Sequence, residues 1–174
     1  MRALIVYESM FGNTRQIAEA VATGTSAWAD VTICGVDDAP GDVALDLDML
    51  VVGGPTHVFS MSRGATRWEA VHRQGLVTDV AVGIREWLQA LAEIDRSTFF
   101  AAFDTRVDLH LLPGAASHGA TRVARARGFI TTPPESFYVA DYEGPLLNGE
   151  IDRARRWGER LSDRVLKTDT TILE

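Results

Sequence analysis

Two short aliphatic runs, Leu4-Ile5-Val6 and Leu50-Val51-Val52, show no alternation between apolar and polar side chains. Continuous runs of this kind are typical of parallel strands that helices cover on both faces of a sheet. Similar short stretches recur along the chain, and together they predict five strands: Arg2 to Tyr7, Val31 to Val36, Met49 to Gly53, Phe99 to Phe103 and Phe137 to Ala140.

Helical patterns separate these strands. The first predicted helix runs from Thr14 to about Trp28, with Ile17, Val21 and Trp28 on one apolar face. Three further helices are predicted from their apolar faces. The first has Ile84, Trp87, Leu88, Leu91 and Ile94, and the second, shorter one has Val123 and Ala126. The last has Ile151, Ala154, Gly158, Leu161 and Val165, after a cap at Asn148. Strands that alternate with helices predict an α/β fold, a doubly wound parallel sheet in three α/β/α layers. Its ligand crevice is expected at the carboxyl ends of the strands.

Two longer segments, Ser60 to Gly75 and Thr105 to Gly114, follow the third and fourth predicted strands and leave the carboxyl edge of the sheet. Long loops in compact domains are often functional, so we expect substrate or partner contacts there. The chain of 174 residues fits one domain, which we place at residues 1–167. The polar segment 168–174 is predicted to be a flexible tail.

A hydroxyl-bearing turn, Glu8-Ser9-Met10-Phe11-Gly12-Asn13-Thr14, joins the first predicted strand to the first predicted helix. Unpaired backbone N–H groups and the positive end of the helix dipole meet at such a turn, which makes it a candidate anion site. Ser9 and Thr14 add hydroxyl donors, Gly12 lets the backbone approach closely, and Asn13 is a suitable N-cap. The turn has no lysine and lacks the Gly-x-Gly-x-x-Gly spacing, so it is neither a P-loop nor a dinucleotide fingerprint.

Two charged residues flank the hydroxyls of this turn. Glu8 disfavours a bound dianion unless its side chain points to solvent, and that exposed position is the one we expect. Arg15 has two possible partners, a bound phosphate or Glu19 one helical turn further on, and a solvent-exposed side chain is favoured.

The pattern Ile5-Val6-Tyr7-x-Ser9-x-x-Gly12-x-Thr14-x-x-x-Ala18-x-x-Val21 is similar, position by position, to the FMN-phosphate signature of the flavodoxin family. The resemblance extends in outline over the whole chain. It implies a flavodoxin-like five-stranded sheet of order 2-1-3-4-5 with FMN at its carboxyl edge. The residues implied for the phosphate are Ser9, Met10, Phe11, Gly12, Asn13 and Thr14.

Two further loops correspond to flavin-binding loops of that family. Gly53-Gly54-Pro55-Thr56-His57-Val58-Phe59 resembles the loop that covers one face of the isoalloxazine ring, which implies contacts from Pro55, Thr56, His57, Val58 and Phe59. Either His57 or Phe59 is a stacking candidate, although His57 is equally well interpreted as a surface histidine. Trp68 is an alternative, as the cover or as a residue that packs the inserted segment.

The third implied loop contains Asp104, Thr105 and Arg106, which we expect to face the pyrimidine end of the flavin. Electron-carrier flavodoxins typically have an acidic, glycine-rich loop with a tyrosine here, whereas this chain carries Arg106 and His110. A cation near the pyrimidine ring favours the negatively charged reduced flavin, so a less negative reduction potential is expected.

Composition narrows the classes of function. The net charge of −7 is unfavourable for a general nucleic-acid binder, because such binders neutralise phosphates. The single cysteine, Cys34, lies in a predicted strand and is expected to be buried and inert. Because one cysteine forms no internal disulfide and no signal peptide is recognised, the cytoplasm is the expected compartment. His72 and His118 lack metal-ligand spacing, so no metal site is predicted. No run reaches the roughly 20 apolar residues of a membrane span.

Three functions stay open at this point. The first is an FMN protein that carries electrons between redox partner proteins or to a small-molecule acceptor. The second is an FMN-dependent NAD(P)H:quinone or nitro-group reductase, which the two longer loops and Arg106 favour. The third is a binding module of the same fold without FMN. The oligomeric state is not predicted.

Overall fold

The structure is a computed structural model, and it describes residues 1–41, 47–57, 60–74, 82–91, 97–108 and 114–172. The strands are β1 (Arg2–Tyr7), β2 (Asp30–Gly35), β3 (Met49–His57), β4 (Ser60–Met61), β5 (Phe99–Val107), β6 (Ile130–Thr131) and β7 (Glu135–Val139). The helices are α1 (Asn13–Thr25), α2 (Gly64–Gln74), α3 (Ile84–Ala90), α4 (Ala116–Arg127) and α5 (Glu150–Ile172).

The sheet has the predicted organisation. Its main strands lie in the order β2-β1-β3-β5-β7, and each neighbouring pair is parallel. The fifth position is divided, because β6 pairs with the start of β5 and β7 with its end. Pro133 and Pro134 separate the two pieces. Proline lacks the N–H that a central strand donates, so the break is tolerated at this edge of the sheet.

Two apolar layers confirm why the central strands lack alternation. Leu4, Val6, Leu50 and Val52 pack under α3 and α4, and the side chains next to them in sequence pack on the opposite face under α1 and α5. Burying an aliphatic side chain of this size contributes about 1.5–3 kcal/mol. Both faces of the sheet are therefore covered by helices, as in a three-layer domain.

The boundaries differ from the prediction where the apolar pattern fades. α1 ends at Thr25, so Trp28 lies beyond the helix and is 54% exposed, and its predicted place on the buried face is wrong. Cys34 is only partly buried, because β2 is an edge strand. α5 begins at Glu150, and the carbonyl of Gly149, not of Asn148, accepts its first helical hydrogen bond. α5 continues through Ile172, so the predicted tail starts within a helix. Ile94 lies outside the described residues.

The long connection after β3 contains structure that the sequence pattern did not predict. β4 turns back to pair antiparallel with β3, and α2 follows it directly. Among the described helices, none is both long enough and apolar enough to cross a membrane.

Candidate functional site

The turn between β1 and α1 has the backbone geometry of an anion site. Gly12 is the N-cap of α1, with φ of 84° in the left-handed region that favours glycine. Asn13, which we expected at the cap, is the first residue of the helix. Within the described part of the chain, the backbone N–H groups of residues 9–14 donate to no protein acceptor. A cluster of unpaired N–H groups at the positive end of a helix is the donor set that a phosphate requires.

The side chains of this turn connect it to the rest of the carboxyl edge. Ser9 Oγ accepts a hydrogen bond from the backbone N–H of Arg15 at 3.2 Å, which leaves its own proton to donate. The Thr14 and Thr105 hydroxyls lie 2.7 Å apart and are buried, so β5 supports the first turn of α1. Asn13 Nδ2 donates to the carbonyl of Glu143 at 2.8 Å. The expected exposed position of Arg15 is confirmed, and it pairs with Glu19 at 2.7 Å.

The second implied loop is a hairpin rather than an irregular loop. Thr56 and His57 at the end of β3 pair with Met61 and Ser60 of β4. Thr56 Oγ1 accepts from the backbone N–H of Ala116 at 2.9 Å, at the start of α4. Val58 and Phe59 form its connection and lie outside the described residues, so their predicted contacts stay predictions.

The candidate ring-covering side chains lie in different surroundings. His57 is half-buried, and burial, assisted by the positive charge of Arg67, lowers its pKa. Trp68 is 54% exposed and stacks on His72 with ring centroids 3.8 Å apart. Both rings belong to α2, so this contact lies within the longer segment Ser60 to Gly75. Which side chain covers a flavin stays a prediction.

The third implied loop is the end of β5. Asp104 has no exposed surface, and its Oδ2 accepts from the backbone N–H of Ser117 at 3.0 Å and from Ser136 Oγ at 3.3 Å. Burial raises the pKa of this carboxyl. Its side chain thus fixes α4 to β5, and its predicted contact with a flavin stays a prediction. Arg106 is partly exposed, and its Nη1 donates to the carbonyl of Gly114 at 3.0 Å.

Glu8 is buried, and the expected exposed position of this side chain is wrong. Only 6% of Glu8 is exposed, and its Oε2 accepts from the backbone N–H of Ile84 at 3.0 Å. Burial raises its pKa, against the lowering effects of the Ser62 hydroxyl, the Ile84 N–H and the charge of Arg67. The segment Ser60 to Gly75 and the start of α3 supply this environment, and no local pattern around Glu8 predicts it.

Arg67 is the second functional candidate that sequence reasoning missed. Its side chain is 2% exposed and donates to Ser62 Oγ at 2.8 Å, and it pairs with Glu86 Oε2 at 3.1 Å. A Cβ at Gly83 would lie 2.2 Å from Arg67 Nη1 and 2.6 Å from Glu8 Oε2. The two side chains therefore converge on Gly83, and a larger residue there would displace their ends.

A cleft of about 300 Å³ opens beside the turn, a volume at the lower end of small-molecule sites. Three of the predicted phosphate residues line it, together with side chains that were not predicted. The described lining consists of Tyr7, Glu8, Ser9, Met10, Gly12, Arg15, Gly35, Val36, Asp37, Arg67 and Val82. Pro55, Thr56, His57, Thr105 and Arg106 lie at the neighbouring strand ends and do not line this cleft.

Solved structures of flavodoxins share this architecture. Flavodoxin 2 of Bacillus cereus matches with a TM-score of 0.67 and 17% identity, over 94% of this chain and 99% of that one. A flavodoxin from the domain Archaea matches with a TM-score of 0.64 and 20% identity, over 95% and 99% of the two chains. The fold is that of the flavodoxins. A flavodoxin-like WrbA-like protein of Agrobacterium tumefaciens has a TM-score of 0.56 and 17% identity, over 95% and 98%.

By sequence, no family profile and no curated protein matches the chain. In this flavodoxin-like sheet the direction of strand order reverses between β1 and β3. Ligands of doubly wound folds bind at such a reversal. The turn after β1 and the hairpin after β3 flank it, and the unpaired N–H groups of residues 9–14 have the chemistry to hold the phosphate of FMN.

Proposed function

We infer that this chain binds one FMN non-covalently and transfers electrons between redox partners. The observation that carries the inference is the cluster of unpaired backbone N–H groups at residues 9–14, held by a left-handed Gly12 at the start of α1. A phosphate dianion placed there gains several charge-assisted hydrogen bonds without a lysine. The flavodoxin-like fold supports the same assignment, because it places this turn at the reversal of strand order.

The residues proposed to hold FMN fall into two groups. The backbone of residues 9–14, with the Ser9 and Thr14 hydroxyls, holds the phosphate. The hairpin (Pro55, Thr56, His57, with Val58 and Phe59) and the end of β5 (Asp104, Thr105, Arg106) flank the ring. When bound, FMN supplies reversible one- and two-electron transfer.

The hairpin is well supported for this positioning role. Arg85 of α3 donates to Ser60 Oγ at 3.0 Å and to the carbonyl of Met61 at 2.9 Å, which ties β4 to α3. Thr56 ties the other arm to α4. Both arms are thus anchored to helices beside the reversal of strand order. Groups fixed in this way before binding lose little entropy when a ligand arrives.

Overall charge supports partner proteins with basic docking surfaces. The chain carries a formal charge of −7. Complementary charge accelerates encounter between proteins and is screened by salt. We therefore propose that electron transfer to a basic partner slows as ionic strength rises.

A second candidate is an FMN-dependent NAD(P)H:quinone or nitro-group reductase. The cleft of about 300 Å³ beside the proposed phosphate turn favours it, because an enzyme needs room for a second substrate. A third candidate, a binding module without FMN, requires that the N–H groups of residues 9–14 serve no flavin.

One anaerobic experiment separates these candidates. The apoprotein is titrated with FMN while flavin fluorescence is recorded, and the complex then receives NADH or NADPH alone. An electron carrier binds FMN and keeps its visible absorbance until a reduced protein partner is added. Bleaching by either nucleotide alone identifies a reductase, and absence of FMN binding identifies the module and refutes the proposal.

A further inference from the structure

Glu8 lies between two cavities at the carboxyl edge of the sheet. On one side is the cleft of about 300 Å³. On the other is an internal cavity of about 10 Å³, close to the roughly 10–15 Å³ that one water molecule needs. Of the described residues that line these spaces, Glu8 alone lines both. The internal cavity continues under the hairpin, where Gly54, Pro55 and Ser62 form part of its wall.

The two oxygens of the Glu8 carboxyl have different surroundings. Oε2 is held by the backbone N–H of Ile84 at 3.0 Å. Oε1 is buried and makes no hydrogen bond of normal geometry with the described part of the chain, while the Ser62 hydroxyl is near enough to lower the pKa of the group. A buried carboxylate oxygen without a partner is costly, and binding a proton removes that cost. The geometry therefore provides one oxygen that anchors the group and one that accepts a proton.

Charged groups of two neighbouring helices act on this carboxyl. Arg67 of α2 and Glu86 of α3 are close enough to influence it, with opposite signs. Further titratable or charged groups face the same region: His57 of β3, Arg15 of α1 and Asp37 after β2. Arg67, bonded to Ser62 and Glu86, is the positioning residue of the cluster, because it fixes α2 over Glu8.

A reduced flavin bound at this site would carry additional negative charge, and an acid group beside it would supply a proton that offsets this charge. We propose that Glu8 is the proton-transfer residue of this site, exchanging protons between water in the cleft and the proposed flavin site by way of the small cavity under the hairpin. This inference rests on the proposed FMN function.

The proposed transfer is balanced in protons and electrons. Electrons arrive from a reduced protein partner, or from a photoreductant in the test below. The Glu8 acid releases its proton toward the reduced cofactor, through the space of the internal cavity, and the carboxylate then takes one proton from water in the cleft. On reoxidation each transfer runs in reverse. The O–H bond of Glu8 is broken and formed once during reduction and once during reoxidation, and the residue gains or loses no electrons.

The test is laser-flash photoreduction of the FMN-loaded protein, with the proton-coupled absorbance change of the flavin recorded from about pH 4 to pH 9. Wild type, Glu8→Gln and Glu159→Gln are compared. Glu159 is a matched control, because it is an exposed carboxylate on α5 that pairs with Arg155 in the same helix. Gln at position 8 retains an oxygen for the Ile84 N–H but cannot transfer a proton.

The wild-type rate is expected to fall as the pH rises through the pKa of Glu8, because only the acid form donates. Glu8→Gln should be at least tenfold slower at the acidic end and lose this pH dependence, since general acids typically contribute about 10²–10⁴-fold. Glu159→Gln should match wild type. Equal rates and profiles for wild type and Glu8→Gln overturn the inference.

Two outcomes remain interpretable if Glu8→Gln fails to fold or to bind FMN. The wild-type profile then decides, and a rate independent of pH over this range overturns the inference. Absence of FMN binding by wild type refutes the proposed function as well. FMN binding with a flat profile refutes the role of Glu8 alone.

Discussion

Gly12→Ala tests the conformation of the phosphate turn directly. Gly12 has φ of 84°, and a Cβ built there meets no atom within 4 Å. The substitution therefore adds no steric clash and changes only the backbone preference. An L-residue in the left-handed region costs about 1–2 kcal/mol, which corresponds to a factor of about 5–30 in an equilibrium constant.

The assay is urea unfolding of the protein saturated with FMN, together with the Kd for FMN. The FMN-bound protein requires the native turn, so the free energy of unfolding of FMN-bound Gly12→Ala should be lower than that of wild type by about 1–2 kcal/mol. This holds whether the turn of the apoprotein keeps its conformation or relaxes. Gly41→Ala is the control, because that glycine also has open space and no positive φ. Gly12→Asn should lose less than Gly12→Ala, since Asn tolerates this region. Equal values for Gly12→Ala and Gly41→Ala would refute the reasoning.

Three further predictions concern single side chains. Thr14→Val should weaken FMN binding by about 1–3 kcal/mol, and Thr105→Val should have a smaller effect, because it removes only the hydroxyl 2.7 Å from that of Thr14. Calorimetry measures both, and an unchanged Kd for Thr14→Val would mean that its hydroxyl does not reach the phosphate. Burial raises the pKa of Glu8 above its ordinary value of 4.5, so its stabilising contribution is present below that pH and is lost as the pH rises through the folded-state pKa. The stability of Glu8→Gln relative to wild type should therefore increase over that range in urea titrations of the apoproteins, and a constant difference would contradict it. Arg106→Gln should make the second one-electron reduction potential of bound FMN more negative, by the equivalent of about 1 kcal/mol at an effective dielectric near 20. Potentiometry measures this potential, and identical values for the two proteins would show that the charge of Arg106 does not reach the flavin.

The fold was predictable because its signals are local. Continuous aliphatic runs such as Leu50-Val51-Val52 indicate strands covered on both faces, and the helical patterns between them define the crossovers. The boundaries were less predictable. Trp28 fits the apolar period of α1 but lies beyond its end, and periodicity alone does not show where a helix stops. The hairpin at the end of β3 was missed because Gly54 and Pro55 are typical of loops.

The candidate site divides in the same way. The turn at residues 9–14 is one contiguous segment, so its chemistry is visible in the sequence. The position of Glu8 depends on Arg67 of α2 and Ile84 of α3, which are far from it along the chain. The hydroxyl of Thr14 in α1 likewise forms a hydrogen bond with that of Thr105 in β5. Contacts of this kind depend on the tertiary arrangement of α2, α3 and β5, which no local pattern in the sequence specifies.

The comparison of FMN with riboflavin tests the central claim most directly, because the two flavins differ by the phosphate alone. Their Kd values for the wild-type apoprotein are measured by quenching of flavin fluorescence under identical conditions. If the N–H groups of residues 9–14 hold the phosphate, FMN binds stoichiometrically and riboflavin much more weakly, and Gly12→Ala narrows the difference. Equal affinity for the two flavins would contradict the assignment of this turn as the phosphate site.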